Sequence, residues 1–163
     1  MRRVAVSGIG VVSPLGNSAA AVLARARVGQ SGVRRLEIPF ANRLTTPIAA
    51  TANFDEGVEF DPGKLRMLDR FSLFALFAAN QAVQASQGAL ANVDRSRAGV
   101  FVGTGMGGTL TMDGGYQTLY GELSDRIKPF TILMGMHNAA AAWIGIEHNL
   151  RGPNMTYSTA CSS

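Results

Sequence analysis

Two stretches of this chain, Val4 to Val12 and Ala98 to Val102, are short, apolar and free of the alternation that marks a half-exposed strand. Strands of that kind are covered on both faces, which in a chain of this length means helices above and below a central sheet. A turn signal follows each at once: Ser13-Pro14-Leu15-Gly16 after the first, and Gly103-Thr104-Gly105-Met106-Gly107-Gly108 after the second. Helical patterns come next. Asn17 or Ser18 can cap an Ala-rich helix, Ala19 to Val28, that ends at Gly29. Leu110 to Leu123 reads as a helix despite Gly114-Gly115. This repeated order of strand, turn and helix predicts an α/β layer fold with a mostly parallel sheet covered by helices.

The remainder fits the same plan. Between Gln30 and Gly63 the pattern is irregular, punctuated by Pro39, Pro47 and Pro62, with one extended piece at Thr46 to Thr51. Asp69 stands where an N-cap belongs, before an apolar run from Phe71 to Val83 that continues to Gln87 and closes at Gly88. Met136 to Leu150 predicts a second long helix, whose Ala139 to Ala142 and Gly145 let neighbours approach closely on nearly every face. Arg151-Gly152-Pro153 ends it, and Asn154 to Ala160 leads as a strand into Cys161. The stretches Phe71 to Val83 and Ile132 to Ile146 are too short and too interrupted to span a membrane, so both read as buried helices. With 163 residues and no internal repeat or linker, one domain is expected.

Composition narrows the function classes. A chain with 47% hydrophobic and 16% charged residues is expected to fold around one core. The net charge of +4 is too diffuse to point to nucleic acid, though it can steer an acidic partner. A single cysteine forms no internal disulfide, and no Cys and His cluster stands at zinc-ligand spacing, so a reducing compartment and no metal or cofactor are expected. Met1-Arg2-Arg3 runs straight into Val4, without the apolar segment of a signal peptide, and a cytoplasmic location is expected with no membrane insertion.

Cys161 is the residue with the most chemistry. It follows a strand in Ser158-Thr159-Ala160-Cys161-Ser162-Ser163, where small residues leave room for a tight turn into a helix. A thiol at a helix N-terminus feels the positive end of the backbone dipole, and nearby N–H groups can receive an oxyanion. The competing reading is a cysteine that only packs. The run Gly103-x-Gly105-x-x-Gly108 after a strand matches a dinucleotide fingerprint, which would make the chain a nicotinamide-dependent oxidoreductase. Against that, the run follows about 100 residues of structure rather than opening the first βαβ unit, and no clear acidic residue ends a strand about 20 positions on. Gly8-Ile9-Gly10 lacks the third glycine.

Several segments in order resemble one family. They are Val6-Ser-Gly-Ile-Gly-Val-Val-Ser-Pro-Leu-Gly-Asn17, Gly29-Gln-Ser-Gly-Val33, Leu68-Asp-Arg-Phe71, Val102-Gly-Thr-Gly-Met-Gly-Gly108, Lys128-Pro-Phe130, and Gly152-Pro-Asn154 with Ser158-Thr-Ala-Cys-Ser162. Together they resemble the β-ketoacyl-carrier-protein synthases, condensing enzymes of the thiolase superfamily. The resemblance implies the first half of a thiolase-like αβαβα fold over residues 1–163, ending just after the nucleophile, with a C-terminal half as partner within a homodimer. It implies that Cys161 accepts an acyl group from acyl carrier protein, and that a decarboxylated second thioester then attacks it, so that one hard carbon–carbon bond formation becomes two easier steps. Two histidines and a lysine used by the family come after the nucleophile, beyond the 163 residues. His137 and His148 precede Cys161 and do not match those positions; His137 is expected to be a packed or hydrogen-bonded core residue, and His148 to favour the dipole at a helix C-terminus. Met106 and Phe130 are candidates for lining the acyl site. Lys64, Arg66, Arg126 and Lys128 stand where relatives receive the acidic carrier, or else form a solvated charged face. A non-catalytic partner subunit of the same fold is a further alternative, against which the presence of Cys161 speaks.

Overall fold

The computed structural model describes residues 3–163. After an extended stretch at its start, the chain forms α1 (Ala19–Arg27), β1 (Val33–Arg35), β2 (Ile48–Ala50), α2 (Glu56–Glu59), α3 (Pro62–Met67), α4 (Arg70–Ala85), β3 (Val100–Gly103), α5 (Thr109–Tyr116), α6 (Thr131–Gly135), α7 (Ala139–Glu147) and β4 (Asn154–Tyr157). β1 and β2 form a small antiparallel pair, Val33 opposite Ala50. β3 and β4 run parallel, from Val100 opposite Asn154 to Gly103 opposite Tyr157. α7 lies against this parallel pair, and α4 packs on α7.

The caps follow the sequence. Ser18 accepts from the Ala21 N–H at the start of α1, and Gly29 ends that helix with φ +68°. Asp69 caps α4 by accepting from the Phe71 N–H. At the far end of α4 the left-handed turn begins one residue earlier than the glycine: Gln87 has φ +51° and Gly88 +85°. α3 was not foreseen, yet its signal is present, since Pro62 occupies the first turn and Asp61 accepts from the Gly63 and Lys64 N–H groups.

The core gathers under α4. Phe54, Phe60, Leu68, Leu73 and Leu76 form its buried centre, with Val12, Leu65, Phe74, Phe77, Trp143 and Ile144 packed around them. Phe54 meets Phe77 edge to face at 4.9 Å between ring centroids and Phe74 at 5.3 Å, the geometry that ring quadrupoles favour. α7 reaches its place because its side chains are small: Ala140 and Ala141 are fully buried, and the Asn154 side chain donates to the Ala141 carbonyl at 2.8 Å.

Three expectations are corrected. Val4 to Val12 is extended but pairs with no strand among the described residues. It lies across α4, so close that a Cβ on Gly8 would stand 2.0 Å from the Ala82 carbonyl oxygen and one on Gly10 1.8 Å from that of Ala78. The Val11 N–H donates to the Gln81 side chain, and Gln81 in turn donates to the Asn17 carbonyl, so a glutamine takes the place of a strand neighbour. A gap of about 410 Å³ floored by Phe71, Phe74 and Ala78 separates this segment from β3, leaving Val4 95%, Val6 81% and Phe101 60% exposed. The helix expected over Leu110 to Leu123 is α5 followed by a π-type turn, Gln117–Gly121. The run Ile132 to Ile146 is two helices, because Met136 is extended at ψ 135° between α6 and α7. No helix is long and apolar enough to cross a membrane.

Leu76 is fully buried at the centre of the core, whereas Val58 on α2 is 78% exposed. Leu76→Ala should therefore cost about 3 kcal/mol in urea unfolding of the complete protein, and Val58→Ala less than about 0.5 kcal/mol. Equal effects at the two positions would contradict this core.

Candidate functional site

Parallel β3 and β4 end on the same side, and each runs directly into a turn. The Thr104 N–H donates to the Tyr157 carbonyl at 2.9 Å, extending the ladder one step past β3 before the chains diverge. Beyond β3 comes the glycine turn, Gly103 to Gly108; beyond β4 comes the turn that holds Cys161. Crevices outside the carboxyl ends of parallel strands are the usual ligand sites of α/β sheets.

The cysteine turn is built on the glycine turn. Ser158 Oγ donates to the Gly105 carbonyl at 3.3 Å, and Ser163 Oγ to the Thr104 carbonyl at 3.2 Å. The Thr159 N–H donates to Ser163 Oγ at 2.7 Å, closing the turn on itself. Ala160, immediately before the cysteine, has φ +53°, a left-handed conformation that costs an alanine about 1 kcal/mol or more. Cys161 lies in the middle of a 3₁₀ turn of three residues, Ala160–Ser162, and is free and exposed. The helix expected to follow the cysteine falls outside the described residues. What sets this thiol apart is its exposure on a strained, cross-braced turn.

Glycine is required along 103 to 108 by the chain itself. A Cβ on Gly103 would stand 2.5 Å from the Ser163 carbonyl carbon, one on Gly107 2.8 Å from the Phe71 ring, and one on Gly108 2.4 Å from the Gly135 Cα. The N-terminus of α5, where a fingerprint of this kind would seat a pyrophosphate, is already taken. Asp69, only 4% exposed, accepts from the Thr111 N–H at 2.8 Å and from the Thr111 hydroxyl at 2.7 Å with one carboxyl oxygen, and from the Phe71 N–H at 3.1 Å with the other. A carboxyl group occupying the donors of a helix start is the opposite of an anion site. The dinucleotide reading fails on this geometry.

The other sequence candidates fall into two places. Met106 is exposed and lines an apolar cavity of about 680 Å³ with Leu110, Met112 and Tyr116 of α5, and with His137. His137 is therefore not the core residue expected; it sits exposed in the break between α6 and α7. Phe130, Arg66 and Lys128 come together in a separate groove of about 500 Å³, with Met67 and Pro129. Arg126 is exposed beside Lys128 on the same strand of chain. Lys64 is drawn away: its ammonium contacts both carboxyl oxygens of Glu147 at 2.8 and 2.9 Å, tying α3 to α7. Among the described residues no group of three or more His, Cys, Asp or Glu side chains is placed to hold a metal ion.

His148 caps the C-terminus of α7. Its Nε2 is buried without a hydrogen-bond partner. Burial is the main cause that holds its pKa below the ordinary value; Glu147 opposes the shift, and Arg95 and Lys64 reinforce it.

The model of the family described as beta-ketoacyl synthase, N-terminal domain, matches residues 1–163. The chain is 34% identical over 163 residues to the 3-oxoacyl-[acyl-carrier-protein] synthase 2 of Coxiella burnetii, covering 99% of this chain and 39% of that protein. It is 35% identical over 173 residues to the enzyme of the same name from Rhizobium meliloti, covering 100% of this chain and 41% of that one. The chain thus spans about two fifths of the length of these curated relatives. Among solved structures, the ishigamide ketosynthase/chain length factor superposes with a TM-score of 0.83 at 21% identity, over 97% of this chain and 40% of that chain. The AntDE:AntF assembly, a type II PKS acyl-carrier protein in complex with its ketosynthase bound to the hexaketide, gives 0.75 at 20% identity, over 98% and 42%. At such identities these structures establish the fold alone, and it is that of the thiolase-like ketosynthases.

The His148 environment has a measurable consequence. Its folded pKa lies below its unfolded one, so the unfolded chain takes up the proton first as pH falls. The stabilisation is complete above the ordinary histidine value and is lost below it. Between about pH 7 and pH 5.5 the urea midpoint of His148→Gln should fall less than that of the unsubstituted protein. Parallel pH profiles would contradict the assignment.

Proposed function

This chain belongs to the β-ketoacyl synthase family, as its N-terminal domain, and from that premise we propose that Cys161 is the acyl-carrying nucleophile of a condensing enzyme. The observation that carries the reading is the thiol itself, exposed on a strained turn that is braced against the glycine turn at the carboxyl ends of β3 and β4.

In this reading the Cys161 sulfur attacks the thioester carbonyl of an acylated carrier protein. A new carbon–sulfur bond forms as the carrier's thiol leaves. A malonyl thioester then loses carbon dioxide, and the resulting carbanion attacks the acyl-enzyme, forming a carbon–carbon bond and releasing the Cys161 thiolate. The product is a β-ketoacyl thioester, in fatty-acid or polyketide chain elongation. Strain stored at Ala160 supports the first step by holding the sulfur clear of its own strand, so that the nucleophile needs little reorganisation. The family resemblance assigns decarboxylation to histidines that follow the nucleophile in sequence, not to His137 at the edge of the Met106 cavity or to His148 at the end of α7. No cofactor is needed for chemistry of this kind.

The acyl chain is assigned to the cavity of about 680 Å³ lined by Met106. The groove of about 500 Å³ with Arg66, Lys128 and Phe130, flanked by Arg126, is assigned to the carrier arm and the acidic surface that delivers it. Lys64 serves there indirectly, through its ion pair with Glu147. Residues 1–163 are the first half of an αβαβα arrangement, whose uncovered strands and apolar residues, Val4, Val6 and Phe101 among them, face the remainder of the enzyme. β4, paired on one edge only among the described residues, with Met155 and Tyr157 each 47% exposed, suits the two-fold contact of a homodimer. A cytoplasmic setting fits a single free thiol.

Intact mass spectrometry of the complete protein after incubation with an acylated carrier protein should show one acyl adduct, absent in Cys161→Ala. Adduct formation that survives this substitution would sink the assignment. Residues 1–163 expressed alone should self-associate through the open face, and sedimentation as a stable monomer would contradict the half-fold reading.

A further inference from the structure

The cavity assigned to the acyl chain is walled on one side by α5, and α5 is held in an unusual way. It has no buried residue. It contains Gly114-Gly115 and runs into the π-type turn Gln117–Gly121, so its C-terminal end has little backbone rigidity. On its far side lies a second cavity of about 290 Å³, between Gly114, Gly115 and Thr118 and the segment carrying Ile127, Thr131 and Met134. Cavities flank the helix on both sides, and its packing is confined to Met112 near Gly135 and Gly115 near Ile127 and Thr131, where a Cβ on Gly115 would stand 3.7 and 3.8 Å from their methyl groups.

Its first turn is held by polar contacts. Gly108, the residue before α5, supplies no side-chain cap, and the cap comes instead from Asp69 at the start of α4, which receives both the backbone N–H and the hydroxyl of Thr111. The same carboxyl group caps α4, whose side chains Leu73 and Leu76 are anchored in the core. Asp69 therefore transfers the rigidity of α4 to the first turn of α5. An eight-residue helix is about 12 Å long, so a tilt of about 10° at its pinned end displaces the other end by about 2 Å. That displacement is on the scale of one methylene group of a bound chain.

We propose that Asp69 is a positioning residue for acyl chain length, and that its grip on Thr111 fixes the wall of the acyl cavity formed by Leu110, Met112 and Tyr116. The inference rests on the condensing reading above. When the grip is loosened, α5 recedes into the space on its far side, the acyl cavity widens and longer chains gain.

Asp69→Asn disturbs two helix starts together, so the test uses Thr111. Thr111→Val removes the hydroxyl donor and keeps the N–H, whereas Thr111→Ser keeps both. In the complete protein, kcat/KM for acylation of Cys161 is measured with hexanoyl and dodecanoyl carrier-protein thioesters. The dodecanoyl-to-hexanoyl ratio should rise about tenfold in Thr111→Val, the discrimination a methylene-scale change in an apolar pocket gives, and stay at the unsubstituted value in Thr111→Ser. A Thr111→Val ratio that stays level or falls, an equal loss for both chains, or a Thr111→Ser ratio displaced as far as that of Thr111→Val overturns the inference. If Cys161 is acylated normally in the unsubstituted protein, only the inference is lost. If neither thioester acylates it there, the functional reading is lost as well.

Discussion

One buried carboxyl group joins the parts of this structure that concern chemistry. Asp69 starts α4, which carries the core, and closes the first turn of α5, which walls the apolar cavity of about 680 Å³. At 4% exposure it gives up most of its hydration, a cost offset only where strong donors replace the water. Three donors do so, two of them from Thr111. Because the group sits between two helix starts, it also benefits from two sets of unsatisfied N–H groups at once. Removing either partner would leave buried polar atoms unmatched, so the arrangement is specific as well as stabilising. The glycines at 107 and 108 follow from it: α5 can reach Asp69 only if the preceding backbone passes against Phe71 and Gly135 without side chains in the way.

How much of this was legible depends on the range of the interaction concerned. Local signals read correctly: the Ser18 and Asp69 caps, the ends of α1 and α4, and the strand that leads to Cys161 are each decided within a few residues. α3 was legible too, since an Asp-Pro pair at its start is an ordinary helix signal hidden in an irregular stretch. Long-range pairings were not. Nothing in the sequence says that Lys64 meets Glu147, 83 positions away, or that the second oxygen of Asp69 goes to Thr111, 42 positions away. The same limit explains Val4 to Val12. Its apolar, β-branched pattern specifies an extended conformation between covering layers, but a pattern does not name the neighbour, and here Gln81 and the carbonyl row of α4 hold it.

The candidate site divides along the same line. The turn that holds Cys161 was legible because it needs few local companions, small residues and a strand before it. The histidines were misplaced for opposite reasons. Apolar neighbours suggested that His137 is buried, yet the extended Met136 breaks the helix and leaves it at the cavity edge. A helix C-terminus suggested that His148 would favour the dipole, yet burial is the main cause that holds its pKa below the ordinary value.

The glycine turn carries the more general argument, because one pattern served two physical purposes and only packing distinguished them. A strand, a Gly-x-Gly-x-x-Gly run and a helix describe equally a cradle for pyrophosphate and a place where three chain segments cross. In the first case the helix N–H groups must stay open to an anion and the glycines must face empty space. Here only Gly105 of the run faces open space, while Gly103, Gly107 and Gly108 are pressed against Ser163, Phe71 and Gly135. The helix start is closed by Asp69, whose charge would repel a phosphate from the site it occupies. The crossing instead braces the turn that carries Cys161, through Ser158 and Ser163, against the carbonyls of Gly105 and Thr104.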